Sequence, residues 1–565
     1  MSITAHESRD SRAWIAGCLI LVLFKLWLLS PQEIIARTAP HDDTLFVGLA
    51  LNILQGEWLG SYDQFTLMKG SGYPLFIAFS NVIGLPLILA QELLYLGACL
   101  TFAWGLRLLG ASALVSCLGF GILAFNPFTY NFFPNVYPFR FGIYPAVSLM
   151  LFAVAQIILV RASRRERHWV ATLVFGLLLG WFSNIRGETI WILPSLGIFL
   201  LAYLYLKHRS ADCPGQTQIW FSATRLITLT IAGFFAVNVS IAVKNYHTYG
   251  VYMTNEMTSP AFKSAYGALL RIRTVRWERF IPVNREAREI AYGVSPSFGR
   301  LEHYFEYGRG TKSWMVGMSD YPAAYFPWAF RDALFSIGYF RDAPTTHEFL
   351  EAIGFEIDQA CGSGRIDCRP RYTNLAPAWH SEWNRLAVHI FYDTVARMVK
   401  FAGFVENGPR GWSLDDDKLV TNYRYVTNSP VRPQSQELII MTPSFHKARL
   451  EEKRQVLLGF AWVYRRVPQV LFVLALGGLG YRLVQISRGS LLRVSDIIGV
   501  GLLAGLFSYT FILTILQVTS YSQIGRQLNT TYPIVLAFII SCAMSLIASR
   551  RDRRDQDQRA SADSA

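Results

Sequence analysis

The chain has 565 residues, of which 52% are hydrophobic and 14% aromatic, and its formal net charge is +14. A composition this apolar, with several runs long enough to cross a bilayer, excludes an ordinary soluble protein. Excess lysine and arginine in a membrane protein mark its cytoplasmic loops, so the charge does not indicate nucleic-acid binding. We therefore predict an all-α polytopic membrane protein.

The hydropathy pattern predicts about ten transmembrane helices. The first apolar run, 13–30, is not followed by an A-x-A cleavage site, so we interpret it as a retained helix rather than a signal peptide. The other predicted spans are 86–109, 111–126, 143–160, 169–183, 189–206, 224–243, 467–484, 494–517 and 530–548. Residues 73–84 are too short to span comfortably, and we expect them at the membrane interface.

Short basic loops predict the orientation of these helices. RASRRERH after the fourth span and KHRS after the sixth are expected in the cytoplasm, together with the N-terminus. Arg465 and Arg466 are the exception, because this topology puts them outside at the start of the eighth span. The loops around residues 42, 69, 140, 186 and 526 then share the extracytoplasmic face of an inner (plasma) membrane.

The spans divide the chain into four parts. Residues 1–244 form an N-terminal transmembrane module with an outer loop at 31–73, and residues 245–455 form a mainly helical extracytoplasmic domain. Residues 456–548 carry the last transmembrane helices, and 549–565 form a basic cytoplasmic tail beside anionic lipid. Cys361 and Cys368 lie in ACGSGRIDC inside the domain and are disulfide candidates if the compartment is oxidising. A zinc site is the weaker interpretation, since no histidine or second cysteine pair adjoins them.

An acidic pair opens the amphipathic segment of the outer loop. Asp42 and Asp43 precede apolar residues at helical spacing over 46–53, and the pattern ends at Gly56. The field of a helix N-terminus holds a carboxylate ionised, as a base or metal ligand requires, but the same position equally suits an ordinary N-cap. Lys69 follows in KGSGYP, a glycine-rich turn before the next apolar stretch. An acid and a cation flanking one short loop favour an active site.

Further charged residues are predicted on the same face: Arg140, Arg186 with Glu188, and Arg526. Charges at membrane depth are costly, so cations gathered there indicate an anionic ligand, for which a lipid phosphate is the natural candidate. Two alternatives stay open. Arg186 and Glu188 equally suit a structural ion pair, and Arg526 equally suits an interfacial anchor that snorkels to the headgroups.

The order of these features resembles the GT-C superfamily of polyprenyl-phosphate-sugar-dependent glycosyltransferases. The shared features are a first transmembrane helix, an outer loop opening with DD, an amphipathic helix ending in Gly-x-Trp (Gly56 and Trp58), and KGxGYP before the next span. The loop is similar to those of protein O-mannosyltransferases and of the aminoarabinose transferase that acts on lipid A. The resemblance covers about residues 13–250 and, weakly, the last span.

This resemblance implies a role for particular residues. The catalytic acid corresponds to Asp42, with Asp43 second, and the lysine that contacts the donor phosphate corresponds to Lys69. The arginine of a late span corresponds to Arg526, although Gln527 stands where the family often has tyrosine.

The chemistry of the residues agrees with that resemblance. A carboxylate is able to take a proton from an acceptor on a lipid, a glycan or a protein. Lys69, helped by Arg140 or Arg526, is able to stabilise the phosphate that leaves a polyprenyl-phosphate sugar. We expect direct displacement with inversion. A magnesium or manganese ion stays open, because two adjacent aspartates are too few ligands to predict one.

Two other classes of protein are alternatives to a glycosyltransferase. A transporter or flippase for lipid-linked saccharides also gathers cations around a phosphate, but it leaves the acidic loop unexplained, and we see no internal repeat. A non-catalytic membrane scaffold predicts tolerance of Asp42→Asn together with Asp43→Asn.

The run at residues 415–417 is three consecutive aspartates, which cannot converge on one ion, so we predict a solvated loop or helix start there. No HExxH, GxSxG or P-loop supports a hydrolase or an ATP-driven pump.

Overall fold

The structure is a computed structural model of the full chain. It describes all residues except 1, 31, 131–135, 210–215, 372–374, 403–412, 433–443, 521–523 and 564–565. Within the described ranges the secondary structure is helical apart from two isolated bridges, Ile34 to Val431 and Ile272 to Cys368. The predicted all-α class is confirmed.

The helices are numbered here in chain order. The N-terminal part contains α1 (Ser2–Leu29), α2 (Asp43–Leu54), α3 (Gly72–Val82), α4 (Leu87–Leu108), α5 (Ala113–Ala124), α6 (Tyr144–Ser163), α7 (Trp169–Ile185), α8 (Leu193–Arg209) and α9 (Gln216–Tyr249). The middle part contains α10 (Pro260–Leu269), α11 (Arg285–Val294), α12 (Pro296–Gly299), α13 (Gly310–Trp314), α14 (Phe326–Ser336), α15 (Ala343–Gly362), α16 (Trp383–Val399) and α17 (Asp417–Thr427). The C-terminal part contains α18 (Ser444–Tyr464), α19 (Val467–Ser487), α20 (Val494–Thr519), α21 (Ile524–Gln527) and α22 (Thr531–Asp563).

Eight helical segments among the described residues are long and apolar enough to cross a membrane. They are Asp10–Leu29, Leu87–Leu108, Arg140–Ser163, Thr189–Arg209, Ile219–Tyr249, Gln455–Ser487, Val494–Thr519 and Ile524–Arg550. The remaining two of the ten predicted spans fall on shorter apolar helices, α7 and the segment Ala113–Thr129 that begins with α5. The chain is thus a multi-pass membrane protein.

Helix α2 lies between two hydrophobic cores. Its residues Phe46 and Ala50 pack with the membrane helices. Its residues Leu45 and Leu49 pack with a second core built from residues 249–357. Because both sides of α2 are buried, the helix fixes the outer loop at the boundary between the membrane helices and the domain formed by this second core, residues 249–357, which we call the middle domain. We call this end of the membrane helices the domain face and the other end the far face.

A buried arginine ties the loop before Lys69 to the middle domain. Arg331 on α14 donates hydrogen bonds to three backbone carbonyls within residues 63–66, at 2.7 to 3.1 Å. It also pairs with Glu256, and both side chains are buried. Glu256 further accepts a hydrogen bond from the Tyr62 hydroxyl at 2.5 Å and lies 2.7 Å from the His347 ring. This loop is therefore held by charged and polar contacts as well as by apolar packing.

The two sulfur atoms of Cys361 and Cys368 are joined in a disulfide, with the Cα atoms 5.6 Å apart. The backbone of Cys368 also forms a bridge with Ile272. The turn after α15 is consequently pinned beside the end of α10, which is the pairing that the sequence allowed.

The run of three aspartates at 415–417 begins a helix. The Asp416 carboxylate accepts a hydrogen bond from the Leu419 amide at 2.9 Å and caps α17. The predicted helix start is confirmed, and it accounts for the acidic run without a metal.

Candidate active site

Asp42 occupies the N-cap position of α2, but its side chain makes no capping hydrogen bond. The carboxylate instead pairs with the Lys69 ammonium. The same ammonium donates to the carbonyl oxygen of His41, whose ring lies 4.0 Å from the second Asp42 oxygen. The alternative of an ordinary capping side chain is therefore wrong for Asp42.

Two glycines bring Lys69 to this position. A Cβ atom on Gly70 would lie 2.1 Å from the Asn184 carbonyl oxygen, and one on Gly72 would lie 2.9 Å from the Asn184 backbone. The Trp181 indole donates a hydrogen bond to the Gly72 carbonyl at 3.0 Å. The glycine-rich turn can thus lie directly against the end of α7, which places Lys69 beside the residues that follow that helix.

Gly70→Ala should therefore lower the function of this site strongly. The added methyl group overlaps backbone that cannot rotate away, so the turn must move and Lys69 with it; a 1 Å misplacement at a reacting centre costs about 100-fold in rate. The measurement is the activity proposed below, at matched protein level. Gly187→Ala is the control, since a Cβ there meets nothing within 4 Å. Equal activities of the two variants would contradict the role given to the turn.

Asp42 and Lys69 each shift the pKa of the other. Burial lowers the pKa of Lys69 to about 8, although the Asp42 carboxylate raises it. Burial raises the pKa of Asp42, but Lys69 and His41 outweigh that effect, and the pKa is lowered overall. The Lys69 ammonium also lies 4.9 Å from the centroid of the Phe46 ring and 5.4 Å from that of Trp328. Both groups are charged near neutral pH.

Two arginines of the predicted set have buried N–H groups left over. Arg186 binds both Glu188 oxygens at 3.0 Å and lies 4.3 Å from the Phe141 ring centroid. Its Nη1 atom and the Nε atom of Arg140 find no hydrogen-bond partner in the described part of the chain. Burial raises the pKa of Glu188, but Arg186 and Arg140 bring it down to about 2. The structural ion pair thus exists and still leaves donors for a further anion.

Arg526 reaches the same place from the last span. It interacts electrostatically with Asp42, with Tyr325 and with Arg37. Arg37 lies over the Tyr137 ring, 4.5 Å from its centroid. Around Asp42 the described residues therefore include five cations and three carboxylates: Arg37, Lys69, Arg140, Arg186 and Arg526, with Asp42, Asp43 and Glu188. Such a site has an excess of positive charge and suits an anionic group.

Asp43 differs from its neighbour in exposure and partners. Its side chain is 5% exposed, whereas that of Asp42 is 25% exposed. Burial raises the pKa of Asp43 to about 6, and its Oδ2 atom has no hydrogen-bond partner among the described residues. The structure therefore separates the two acids, with Asp42 as the accessible one beside the cations.

The middle domain adds an aromatic wall that the sequence analysis missed. The rings of Trp314, Tyr325 and Trp328 lie 5.7 to 5.9 Å from the His41 ring, centroid to centroid. His41 and Arg37 were also missed. His41 directly precedes the acidic pair, and the segment 314–328 is rich in aromatic residues, so a signal was present in the sequence for both.

The donor set does not fit a divalent cation held by protein side chains. Asp42 is paired with Lys69 and Glu188 with Arg186. In the described ranges no group of three or more histidine, cysteine, aspartate or glutamate residues is arranged to hold a metal ion. The reaction proposed for this site therefore assigns no step to a metal ion.

No family model and no curated protein matches this chain. Among solved structures it is similar to the crystal structure of ArnT from Cupriavidus metallidurans in the apo state, with 13% sequence identity and a TM-score of 0.28. That alignment covers 90% of this chain and 78% of the other. Fold and site together define a multi-pass helical membrane protein with a charged, partly buried site on its domain face.

Proposed function

We propose that the protein is an integral-membrane glycosyltransferase that moves a sugar from a polyprenyl-phosphate donor to an acceptor at the extracytoplasmic face of the inner membrane. The observation that carries the proposal is the Asp42 and Lys69 pair, set among arginines whose buried N–H groups at Arg140 and Arg186 lack partners among the described residues. A buried donor without an acceptor is costly, and a donor phosphate would supply the acceptors.

The reaction needs one base and one phosphate site. The acceptor oxygen or nitrogen attacks the anomeric carbon, and its proton passes to the Asp42 carboxylate. The bond between that carbon and the phosphate oxygen breaks, and its electron pair leaves with the lipid phosphate. Lys69, Arg140 and Arg526 offset the charge that develops on this oxygen. One displacement inverts the anomeric configuration.

Lys69 has a second role in this scheme. While it pairs with Asp42 it keeps the pKa of that carboxyl low, which makes the carboxylate a weak base. A donor phosphate competes for the same ammonium. When Lys69 turns to the phosphate, the pKa of Asp42 rises and the carboxylate becomes a stronger base. Donor binding would thus switch on the base.

The middle domain supplies the rest of the site. Trp314 and Trp328 are mostly buried and close one side of the site, so they exclude water and offer apolar ring faces to a sugar. The disulfide in the same domain is consistent with an oxidising compartment, as expected outside the cytoplasm.

The test is transfer of radiolabelled sugar from polyprenyl-phosphate donors to membranes that contain the natural acceptors. Wild type should form a product with inverted anomeric configuration, and Lys69→Ala should lose most of the rate because leaving-phosphate stabilisation is lost. A product that retains configuration would contradict single displacement. Movement of the intact donor across vesicle membranes, with no covalent change, would instead establish a flippase.

Chelation should leave the transfer rate unchanged. Asp42 and Glu188 are each paired with a protein cation, and Asp43 alone is too few ligands for a tightly held metal, so we expect EDTA to remove no ion that the reaction needs. The measurement is the initial rate with EDTA and again after excess magnesium or manganese is added back. Loss of activity in EDTA that manganese restores would show that a metal ion takes part.

A further inference from the structure

A charged cavity lies at the far face, at the opposite end of the helices that hold the candidate active site. It has a volume of about 370 Å³ and lies where α7 begins, α8 ends and α9 begins. Helix α7 has 17 residues and therefore separates this cavity from Arg186 by about 25 Å. The two sites do not share a residue.

The charges that line the cavity are mainly positive. The cations that face it are Arg165, Arg167, Lys207 and Arg225, and Glu166 is the one acid among the lining residues that the structure describes. The Glu166 carboxylate lies 4.0 Å from Arg164, and both side chains are about half exposed, so it offsets little of that charge. A cavity of this composition favours an anion.

A network of hydroxyl groups forms the polar floor. The buried Tyr203 hydroxyl lies 2.7 Å from the Ser222 hydroxyl and 3.1 Å from the His168 ring. Thr172 donates a hydrogen bond to the His168 carbonyl at 3.0 Å. Burial, with the nearby charges of Lys207 and Arg225, lowers the pKa of His168 to about 4. The His168 ring is thus neutral although cations surround it, and it forms part of the polar floor of the cavity.

The surroundings of the cavity are apolar and lie at the edge of the membrane. Leu226 and Leu229 line its α9 side. Trp169, Trp220 and Phe221 are 46%, 60% and 74% exposed next to it, and aromatic residues at the ends of membrane spans lie at the depth of lipid headgroups. An anion bound here would have apolar surface directly beside it.

We propose that this cavity binds the headgroup phosphate of an anionic phospholipid from the far leaflet. The basic short loops assign that leaflet to the cytoplasm, where anionic lipid is concentrated. The four cations would bind the phosphate, and the leucines and exposed aromatic rings would contact the first acyl carbons. A free phosphate ion has no apolar atoms to pack against that surface, whereas a lipid does, so a lipid is favoured.

A bound lipid would also brace the helix pair that carries the domain-face site. Helices α7 and α9 touch through glycines, since a Cβ on Gly176 would lie 2.3 Å from the Thr230 carbonyl oxygen and one on Gly233 would lie 2.7 Å from the Leu177 nitrogen. The cavity opens at the far-face end of this tight contact. Its occupation should therefore raise the thermal stability of the protein whatever reaction the other face performs.

The experiment is thermal unfolding of the full chain in neutral detergent, with added phosphatidylglycerol, phosphatidylcholine or inorganic phosphate. Phosphatidylglycerol should raise the Tm of wild type by about 2–4 °C over phosphatidylcholine at saturating lipid. Lys207→Gln with Arg225→Gln should abolish that difference. Arg12→Gln with Arg488→Gln removes two exposed charges outside the cavity lining, which the predicted topology puts on the same face, and should keep it.

Three results would overturn the proposal. One is an equal Tm in both lipids for wild type, and another is an unchanged lipid difference in the Lys207 and Arg225 variant. The third is an equal rise with inorganic phosphate, which would show a site for a free anion. If the first variant does not fold, Arg165→Gln with Arg167→Gln removes the other two cations of the cavity, which lie on the exposed loop, and should also abolish the difference between the lipids.

Discussion

Asp42→Asn is expected to lower the rate of sugar transfer by about 100- to 10,000-fold, the range for removal of a general base. The amide keeps the shape of the side chain but cannot take the acceptor proton. The change also removes the carboxylate that raises the pKa of Lys69, so that pKa falls below about 8 and less of the ammonium is charged. The measurement is the initial rate with labelled donor at saturating concentration, in membranes with equal amounts of folded protein.

Asp43→Asn is the matched control for this loss. It makes the same chemical change one residue later, on a buried side chain that does not pair with Lys69. We expect a far smaller loss of rate, because this carboxyl is buried and forms no ion pair with Lys69. A large loss in Asp43→Asn with a normal rate in Asp42→Asn would exchange the two roles. Normal rates in both would remove the acidic pair from the mechanism.

Hydropathy alone could predict most of the membrane helices, because crossing a bilayer is a local property of 18 or so residues. The same topology places Lys69, Arg140, Arg186 and Arg526 on one face, since successive spans alternate in direction. The structure goes further and brings these side chains around Asp42. That convergence depends on how helices pack, for example on the contact between Gly70 and the end of α7.

Other parts of the site could not be read from local patterns. The sequence shows one apolar stripe on α2, whereas the helix buries Leu45 and Leu49 in one core and Phe46 in another. An N-cap aspartate and an ion-paired one have the same local signature, so the state of Asp42 was open until the position of Lys69 was known. The aromatic wall comes from residues some 270 positions away in the chain, and only the docking of the domain brings it there.

Arg331→Met should destabilise the contact between the middle domain and the outer loop by about 3–5 kcal/mol, the usual effect of breaking a buried ion pair. The methionine fills much of the space but leaves Glu256 buried without its main partner, and the three carbonyls within residues 63–66 lose their donor. We expect a lower Tm, faster proteolysis of the loop, and a lower transfer rate because this loop leads directly to Lys69.

Arg273→Met is the matched control, since it breaks an ion pair with Asp367 in the same domain at a site where the side chains are 53% and 72% exposed. Such pairs contribute about 0–1 kcal/mol, so its Tm should stay close to that of wild type. Equal Tm values for the two variants would show that the Arg331 contacts do not stabilise the domain.

The pH dependence of stability shows whether Arg331→Met acts through the lost ion pair or through lost packing. Burial raises the pKa of Glu256, but Arg331, together with His347 and Tyr62, outweighs it and the pKa is lowered in the folded protein. This pair therefore stabilises wild type above the pKa of an unfolded glutamate, and the contribution is lost as the pH falls through the lowered value. Without Arg331, burial raises the pKa of Glu256 instead, and protonation relieves the penalty on acidification. The difference in unfolding free energy between wild type and Arg331→Met should thus shrink between pH 7 and about pH 4. A difference caused by lost packing would not change with pH.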